Sequence, residues 1–125
     1  MIYDTDILIW IQRGNEKAAR LIDRDDDKHL SIQSYMELLQ GAGSKAHHRY
    51  IKAFIFDFGF SILPLTENIG HRGLIYVEEY ALSSSMRAGD AIIAATAVEN
   101  NMTLVSSNAK HFKVVKELKF KAFKP

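Results

Sequence analysis

The order in which short apolar runs and helical patterns alternate constrains the fold of this chain more than any other feature. Four runs of strand length separate segments of helical periodicity, and they span Met1–Asp4, His29–Ile32, Phe60–Leu63 and Thr103–Ser106. A fifth run, Phe120–Phe123, predicts an edge strand. Strands that alternate with helices favour an α/β domain with parallel strands. The chain has the length of one domain, so we expect a single domain over residues 1–125.

Helical patterns occupy the segments between these runs. The predicted helices span Thr5–Arg13, Glu16–Arg24, Ser34–Gln40, His47–Phe58, Glu67–Leu82 and Ala91–Glu99. Glycines follow the first and third of them, at Gly14 and Gly41, where helices commonly end. Ser83–Ser85 is predicted to be the loop that follows the fifth helix.

The composition excludes several classes of protein. The chain has no cysteine, which excludes disulfides, thiolate catalysis and metal sites built from thiolates. Charged residues interrupt the apolar runs well before the ~20 residues that a membrane-spanning helix needs. No secretory signal pattern opens the chain. We therefore expect a soluble, cytoplasmic protein without membrane contact.

Three acidic residues stand where the predicted topology can bring them together. Asp4 ends the first strand, Glu37 lies in the first turn of the helix after the second strand, and Asp90 directly precedes the alanine-rich helix. The carboxyl ends of parallel strands lie at one edge of a sheet, where crossovers deliver side chains to a common cleft. Asp90 follows no predicted strand, so its place in such a cleft depends on the start of its own helix.

A cluster of carboxylates implies a bound metal ion. Two negative charges ~5 Å apart repel by about 3 kcal/mol at an effective dielectric constant of about 20. Three such groups do not all stay ionised without a cation or a large pKa shift. The candidate ligands are hard oxygens, with neither cysteine nor a histidine pattern among them. We therefore expect Mg²⁺, with Mn²⁺ as a substitute, rather than Zn²⁺.

Each of the three acids also has an interpretation as a helix cap. Asp4 and Asp90 can be the N-caps of the helices that follow them. The segment from Ser34 to Glu37 fits a capping box, in which the Glu37 carboxylate accepts a hydrogen bond from the Ser34 amide. The residues taken singly leave both interpretations open.

Four motifs, in order along almost the whole chain, resemble the PIN-domain family and within it the VapC-type toxins of toxin–antitoxin pairs. The motifs cover residues 3–9 (YDTDILI), 31–41 (SIQSYMELLQG), 86–97 (MRAGDAIIAATA) and 104–112 (LVSSNAKHF). The third is the most specific. The resemblance implies a three-layer α/β/α sandwich around a central, mainly parallel sheet of four to five strands.

The resemblance also implies an activity, residue roles and partners. The activity is metal-dependent cleavage of RNA phosphodiester bonds by an endoribonuclease. Asp4, Glu37 and Asp90 match the family's catalytic and metal-binding positions, Thr5 matches a hydroxyl that steadies the first acid, and Asp6 is a supporting residue. The implied partners are RNA, a small antitoxin protein and a second copy of the chain in a homodimer.

The fourth motif departs from the family pattern. Asn108 stands where many relatives place a fourth carboxylate, and His111 stands where an acid often precedes the phenylalanine. Asn108 can offer a carbonyl oxygen to a metal or its waters but adds no charge, so we expect one firmly held Mg²⁺ rather than two. The same departure leaves open a catalytically degenerate PIN domain that only binds RNA or a protein.

Two other enzyme classes fit the sequence less well. Asp4 and Asp6 after a strand are also typical of haloacid-dehalogenase phosphotransferases, but the glycine and threonine of that motif are replaced here by Ile7 and Leu8. A phospho-accepting receiver domain would need paired acids that the chain lacks. Its candidate acceptor, Asp57, lies within a helical pattern.

The C-terminal segment is rich in lysine. Between positions 110 and 125, one acid, Glu117, faces six lysines: Lys110, Lys113, Lys116, Lys119, Lys121 and Lys124. This distribution suits phosphate contact, and it equally suits an edge strand protected from aggregation by lysines. Trp10 and the Phe54–Phe60 stretch are our candidates for contact with the antitoxin.

Overall fold

The computed structural model describes the whole chain from Met1 to Pro125. Five strands form one sheet, and they are β1 (Ile2–Tyr3), β2 (His29–Ser31), β3 (Ser61–Leu63), β4 (Leu104–Ser106) and β5 (Phe120–Ala122). The helices are α1 (Thr5–Gln12), α2 (Glu16–Asp23), α3 (Ile32–Gln40), α4 (Lys45–Asp57), α5 (Glu67–Ser84), α6 (Ala88–Glu99) and α7 (Ala109–Phe112). None of them combines the length and the apolarity that crossing a bilayer requires.

The strands pair in the order β3-β2-β1-β4-β5, and every pair is parallel. The chain proceeds from β1 to β2 and β3 on one side, and from β4 to β5 on the other. The direction of the strand order therefore reverses between β1 and β4, which makes this pair the topological switch point of the sheet. The predicted α/β class and the predicted parallel sheet are confirmed, with five strands.

Two hydrophobic clusters lie on opposite faces of the sheet. Ile2 and Leu104, which are partners in register, point into a cluster with α5, α6 and the segment after α7. Tyr3 and Val105, one residue further along the same strands, point into a cluster with α1 to α4. This alternation follows from the two-residue period of a strand. The helices on the two faces and the sheet between them form the predicted three-layer sandwich. Each fully buried large apolar side chain in it stabilises the folded state by about 1.5–3 kcal/mol.

Several element boundaries differ from the prediction. Ile32 starts α3 instead of ending β2, and α4 starts at Lys45 instead of His47. The predicted loop at Ser83–Ser85 is wrong at its first two residues, because α5 continues through Ser84 and ends at Ser85, whose φ of 57° is left-handed. α6 starts at Ala88, three residues before the predicted start, and the short α7 was not predicted. Side-chain caps, described below, account for the start of α3.

Candidate active site

The predicted acids lie around a crevice at the switch point. After β1 the chain enters α1, which packs on one face of the sheet, and after β4 it leads to Phe112, which packs on the other. The two connections diverge at the carboxyl ends of the strands, and we call the region between them the crevice, because ligands of such sheets bind there. We call the carboxylates around this crevice, Asp4, Asp6, Glu37 and Asp90, the acidic site.

Asp4 is held from two sides of the crevice. It is the N-cap of α1, as the cap interpretation predicted, and it is only 6% exposed. Its Oδ1 accepts a hydrogen bond from the Thr5 N–H at 2.8 Å, and its Oδ2 accepts one from the Ser106 hydroxyl at 2.7 Å. Ser106 Oγ in turn accepts from the Asn108 N–H at 2.9 Å. Asp4 therefore caps α1 and also belongs to the acidic site, so the two interpretations do not exclude each other.

The ionisation of Asp4 is opposed by its surroundings. Burial, followed by the charge of Asp6, raises the pKa of Asp4 from 3.8 to about 7. The hydrogen bonds from Ser106 and Thr5 lower this pKa, and the charge of Asp90 raises it. When no cation is bound, Asp4 therefore keeps its proton to a much higher pH than an ordinary aspartate does. A divalent cation favours the ionised form, so a proton and a metal ion compete for this carboxylate.

Asp6 faces the turn that follows β4. Its Oδ2 accepts hydrogen bonds from the Ser107 backbone N–H, at 3.1 Å, and from the Ser107 hydroxyl. Its Oδ1 is buried without any hydrogen-bond partner. Burial raises the pKa of Asp6, and the bonds from Ser107 only partly offset this effect. An unpaired buried carboxylate oxygen is costly, and a cation or its water would complete it.

The predicted capping box between Ser34 and Glu37 is wrong. The N-cap of α3 is Ser31, whose hydroxyl oxygen accepts a hydrogen bond from the Ser34 N–H at 3.0 Å. Because of this cap, α3 starts at Ile32, two residues before the predicted start at Ser34. Glu37 therefore lies in the second turn, away from the unpaired amides of the first turn that a capping box satisfies. The Glu37 carboxylate is consequently free to turn toward α1.

Glu37 is held by donors from its own helix and from α1. Its Oε1 accepts from the Thr5 hydroxyl at 2.5 Å and its Oε2 from the Gln33 amide at 3.2 Å. Thr5 thereby links Glu37 to Asp4, since its backbone N–H donates to Asp4 Oδ1. The start of α6 also approaches closely, because a Cβ placed on Gly89 would lie 2.8 Å from Glu37 Oε2. Only glycine permits this approach without moving the carboxylate.

Asp90 is not the N-cap of the alanine-rich helix. α6 begins at Ala88 with Arg87 as its N-cap, so Asp90 is the third residue and accepts from the Arg87 N–H at 3.3 Å. The Asp90 Oδ2 also lies 2.9 Å from His111 Nδ1, which is 3.0 Å from the Asn108 side-chain amide. A carboxylate requires a donor, so we assign the proton to His111 Nδ1, and the Asn108 side chain then turns its carbonyl oxygen rather than its NH2 group toward Nδ1. His111 thus contacts Asp90, and Asn108 contacts His111.

The donor chemistry of the acidic site fits a divalent cation. Its carboxylates supply hard oxygens, and none of them forms a salt bridge with lysine or arginine. Asp6 Oδ1 is unpaired, and Asp4 has a raised pKa. No three histidine, aspartate or glutamate side chains form a preassembled metal cage, however. The protein donors described above occupy Asp4 and Glu37, so these carboxylates would have to exchange or share their hydrogen bonds to bind a metal.

Comparison with protein families accounts for this combination of fold and motifs. Residues 1–118 match the family described as the PIN domain. The chain belongs to the PIN domain family. This match confirms the family that the four sequence motifs predicted. No curated protein matches the sequence.

Solved structures similar to this PIN domain include a chain of a toxin–antitoxin complex and chains of two VapBC structures. A chain of a toxin–antitoxin complex from Klebsiella pneumoniae is 25% identical, with a TM-score of 0.76 over 94% of this chain and 93% of that chain. A chain of VapBC2 from Rickettsia felis, solved with a promoter DNA fragment, is 20% identical, with a TM-score of 0.77 over 99% and 100%. A chain of VapBC-1 from nontypeable Haemophilus influenzae is 20% identical, with a TM-score of 0.77 over 98% of both chains. The predicted resemblance to VapC-type PIN toxins is confirmed.

Several residues that contact the carboxylates of the acidic site were not predicted from the sequence. Ser106 and Ser107 hold Asp4 and Asp6 but were noted only as part of a motif. A signal was available, because two serines directly follow a predicted strand at the edge where ligand sites form. Gly89, next to Asp90 in sequence, gave no comparable signal, since only the packing of α6 against Glu37 explains it.

Proposed function

We propose that this PIN domain is a divalent-metal-dependent endoribonuclease in which Asp4, Glu37 and Asp90 hold the metal, supported by Thr5, Asp6 and Asn108. The observation that carries the proposal is the buried Asp4 carboxylate, which is close enough to Asp6 and Asp90 for their charges to raise its pKa. A site that concentrates negative charge in this way is stabilised by a divalent cation. Family membership supports nuclease chemistry at this site.

The role of the residues is to preorganise the carboxylates. Mg²⁺, or Mn²⁺ in its place, would supply a Lewis acid that activates a water for attack on the phosphodiester and offsets charge on the phosphate. Thr5 donates from its backbone to Asp4 and from its hydroxyl to Glu37, which fixes the two carboxylates relative to each other. His111 holds Asp90 by the hydrogen bond from Nδ1. Fixed ligands avoid reorganisation when the substrate reacts.

Two helix N-termini add positive potential to the crevice. Asp4 caps α1, and Asp90 lies in the first turn of α6. The amide groups at such ends carry partial positive charge and attract phosphate groups. They offset part of the repulsion between the RNA backbone and the carboxylates.

Cleavage of RNA in the presence of Mg²⁺ or Mn²⁺ tests this function. We expect the wild type to cut RNA, and we expect Asp4→Ala and Asp90→Asn to lose at least about a hundredfold in rate because they remove metal ligands. Asp57→Asn is the matched control, since it neutralises an exposed acid at the end of α4. Equal rates in all four proteins would end the proposal.

A catalytically degenerate domain that only binds RNA or a protein is the second candidate. Two observations favour it, namely the neutral Asn108 and the lack of a preassembled metal cage. Calorimetric titration with Mg²⁺ separates the candidates, because a binding module has no need of the ion. Heat of binding that disappears in Asp4→Ala supports the nuclease, and its absence from the wild type supports the binding module.

The proposed biological role is that of the toxin in a type II toxin–antitoxin pair in the cytoplasm, with a small antitoxin as partner and a homodimer as its assembly. The toxin–antitoxin complexes among the similar structures support it. Of the predicted contact stretch, Phe54 and Phe60 are buried in the core, whereas Phe56 and Phe58 are 84% and 42% exposed. The exposed pair is available to a partner. A sizing experiment with and without the co-expressed neighbouring gene product tests both assemblies.

A further inference from the structure

A second, oppositely charged region lies along α2, outside the acidic site. An open cavity of about 520 Å³ runs between α2 and the edge strand β5. Four cationic side chains line it, and we call them the basic groove: Lys17, Arg20, Arg24 and Lys121. The first three share one face of the helix, since their spacings are three and four residues. Lys121 faces them from β5.

The positive charge of the basic groove is not neutralised by the protein. Its one acidic residue, Asp25, already accepts hydrogen bonds from the Met1 amino group at 2.9 Å, the Tyr3 hydroxyl at 2.7 Å and the Asp27 N–H at 2.9 Å. Arg20 lies 3.7 Å from the exposed Glu16, which is a weak pair. The chain as a whole has a net charge of only +1, so the groove concentrates cations that are balanced elsewhere.

One end of the groove adjoins the acidic site. Phe123, which lies at that end, donates its backbone N–H to the carbonyl of Ser106 at 2.9 Å, and the Ser106 hydroxyl holds Asp4. Lys17 lies at the same end, because its Nζ donates to the Lys124 carbonyl at 2.8 Å. From there α2 leads about 10 Å to Arg24, which lines the groove together with Met1 at the amino end of β1. The cations therefore form a track that begins beside the reaction site and leads away from it.

We propose that the basic groove binds phosphates of the RNA backbone outside the nucleotides that are cut. This inference rests on the proposed nuclease function, because that function places a phosphodiester at the end of the track. A row of flexible cations on one helix face matches a chain of evenly spaced phosphates and needs no particular base. The RNA segment in the groove contributes affinity and register, whereas the acidic site contributes chemistry.

Binding of labelled RNA, followed by fluorescence anisotropy in EDTA, tests the groove without any cleavage. The probes are single-stranded RNAs of about 5 and about 20 nucleotides. The groove variant is Arg24→Ala with Lys121→Ala, since neither residue has a salt-bridge partner in the structure. The control is Lys113→Ala with Lys116→Ala, which removes equal charge from the segment that packs on the opposite face of the sheet.

We expect the groove variant to bind the 20-mer roughly tenfold more weakly than the control variant. The salt dependence of log Kd should also become shallower by about 1.4, which corresponds to two lost phosphate contacts on a single strand. The 5-mer should be bound almost equally by both variants, because it can occupy the acidic site alone. Equal affinities of both variants for the 20-mer would overturn the proposal, as would a groove that binds an acidic peptide and no RNA.

The result is separable from the fate of the nuclease proposal. If none of the proteins cleaves RNA but the groove variant loses affinity, the groove binds RNA phosphates and the nuclease proposal alone fails. If the wild type cleaves RNA and both double variants bind it equally well, the nuclease proposal stands and the groove proposal fails. With Mg²⁺ present, we expect the groove variant to raise KM for long RNA while kcat stays within about twofold.

Discussion

The acidic site and the basic groove of this PIN domain are built on neighbouring strands but handle charge in opposite ways. Asp4 is buried and the other three carboxylates are half-buried, so the protein must satisfy them with hydrogen bonds, and burial still raises the pKa of Asp4 to about 7. The cations lie at the surface, where water screens them. Burial therefore makes the acidic site a place where charge affects stability, whereas the charge of the groove affects mainly the partner that it attracts.

The largest expected effect is the pH dependence that Asp4 imposes on stability. Its pKa in the folded protein is about 7, above the ordinary value of 3.8, so the folded state holds its proton more tightly. The resulting stabilisation is fully present below pH ~4 and is lost as the pH rises through 7, by at most about 4 kcal/mol. Denaturant unfolding in EDTA between pH 4 and 8 should show this loss in the wild type and a smaller one in Asp4→Asn. An equal loss of unfolding free energy in the two proteins would contradict the raised pKa of Asp4.

Ser106→Ala should have the next largest effect. The substitution leaves the buried Asp4 Oδ2 and the Asn108 N–H without their partner, which costs about 1–3 kcal/mol. It should also raise the pKa of Asp4 further, because a bond to the ionised form is lost. Ser83→Ala, at an exposed position of α5, is the control and should change the free energy of unfolding by less than about 0.5 kcal/mol. Equal effects of the two substitutions on the free energy of unfolding would contradict the role of Ser106 in stabilising Asp4.

Gly89→Ala tests the role of Glu37 in the acidic site without replacing Glu37 itself. The new Cβ would lie 2.8 Å from Glu37 Oε2 and 3.2 Å from the Gln33 side chain, so Glu37 must move. We expect about a tenfold loss of Mg²⁺ affinity with less than about 1 kcal/mol of destabilisation, since the displaced atoms end flexible side chains. Gly70→Ala is matched, because this helical glycine has no atom within 4 Å of its Cβ position. The Gly70→Ala variant should have a free energy of unfolding up to about 1 kcal/mol higher than the wild type and an unchanged affinity for Mg²⁺. Unchanged Mg²⁺ affinity in Gly89→Ala would argue against Glu37 as a ligand.

The smallest expected effect on stability belongs to the basic groove. Arg24→Ala with Lys121→Ala should change the free energy of unfolding by about 1 kcal/mol or less, part of it from the dipole of α2, at whose C-terminus Arg24 lies. Chemical denaturation at two salt concentrations measures it. A loss of several kcal/mol would mean that these cations stabilise the fold itself and would erase the contrast with the acidic site.

Most of the fold could be predicted from the sequence because its signals are local. Strand-length apolar runs and helical periods identified every strand and six of the seven helices. The errors that affect the acidic site are at the starts of two helices. The Ser31 hydroxyl caps α3, and α6 begins after Arg87, whose N–H donates to Asp90, so Glu37 and Asp90 both lie deeper in their helices than predicted.

The acidic site could be predicted only in part. The motifs predicted Asp4, Glu37 and Asp90, but one hydrogen-bond partner of each carboxylate is distant in sequence, namely Ser106, Thr5 and His111. Ser106 reaches Asp4 across more than a hundred residues, because β1 and β4 are neighbours in the sheet. Strand order is not a local property, so neither this contact nor the basic groove between α2 and β5 could be derived from the sequence.

Calorimetric titration of the wild type and of Asp4→Asn with Mg²⁺, at pH 8 and at pH 6, measures whether Asp4 binds the metal ion. At pH 8 we expect one Mg²⁺ per wild-type chain and no measurable binding to Asp4→Asn. At pH 6 the affinity of the wild type should fall about tenfold, because Asp4 must first release a proton whose pKa is about 7. Affinity that is independent of pH and unchanged in Asp4→Asn would contradict the assignment of Asp4 as the metal ligand on which the site is built.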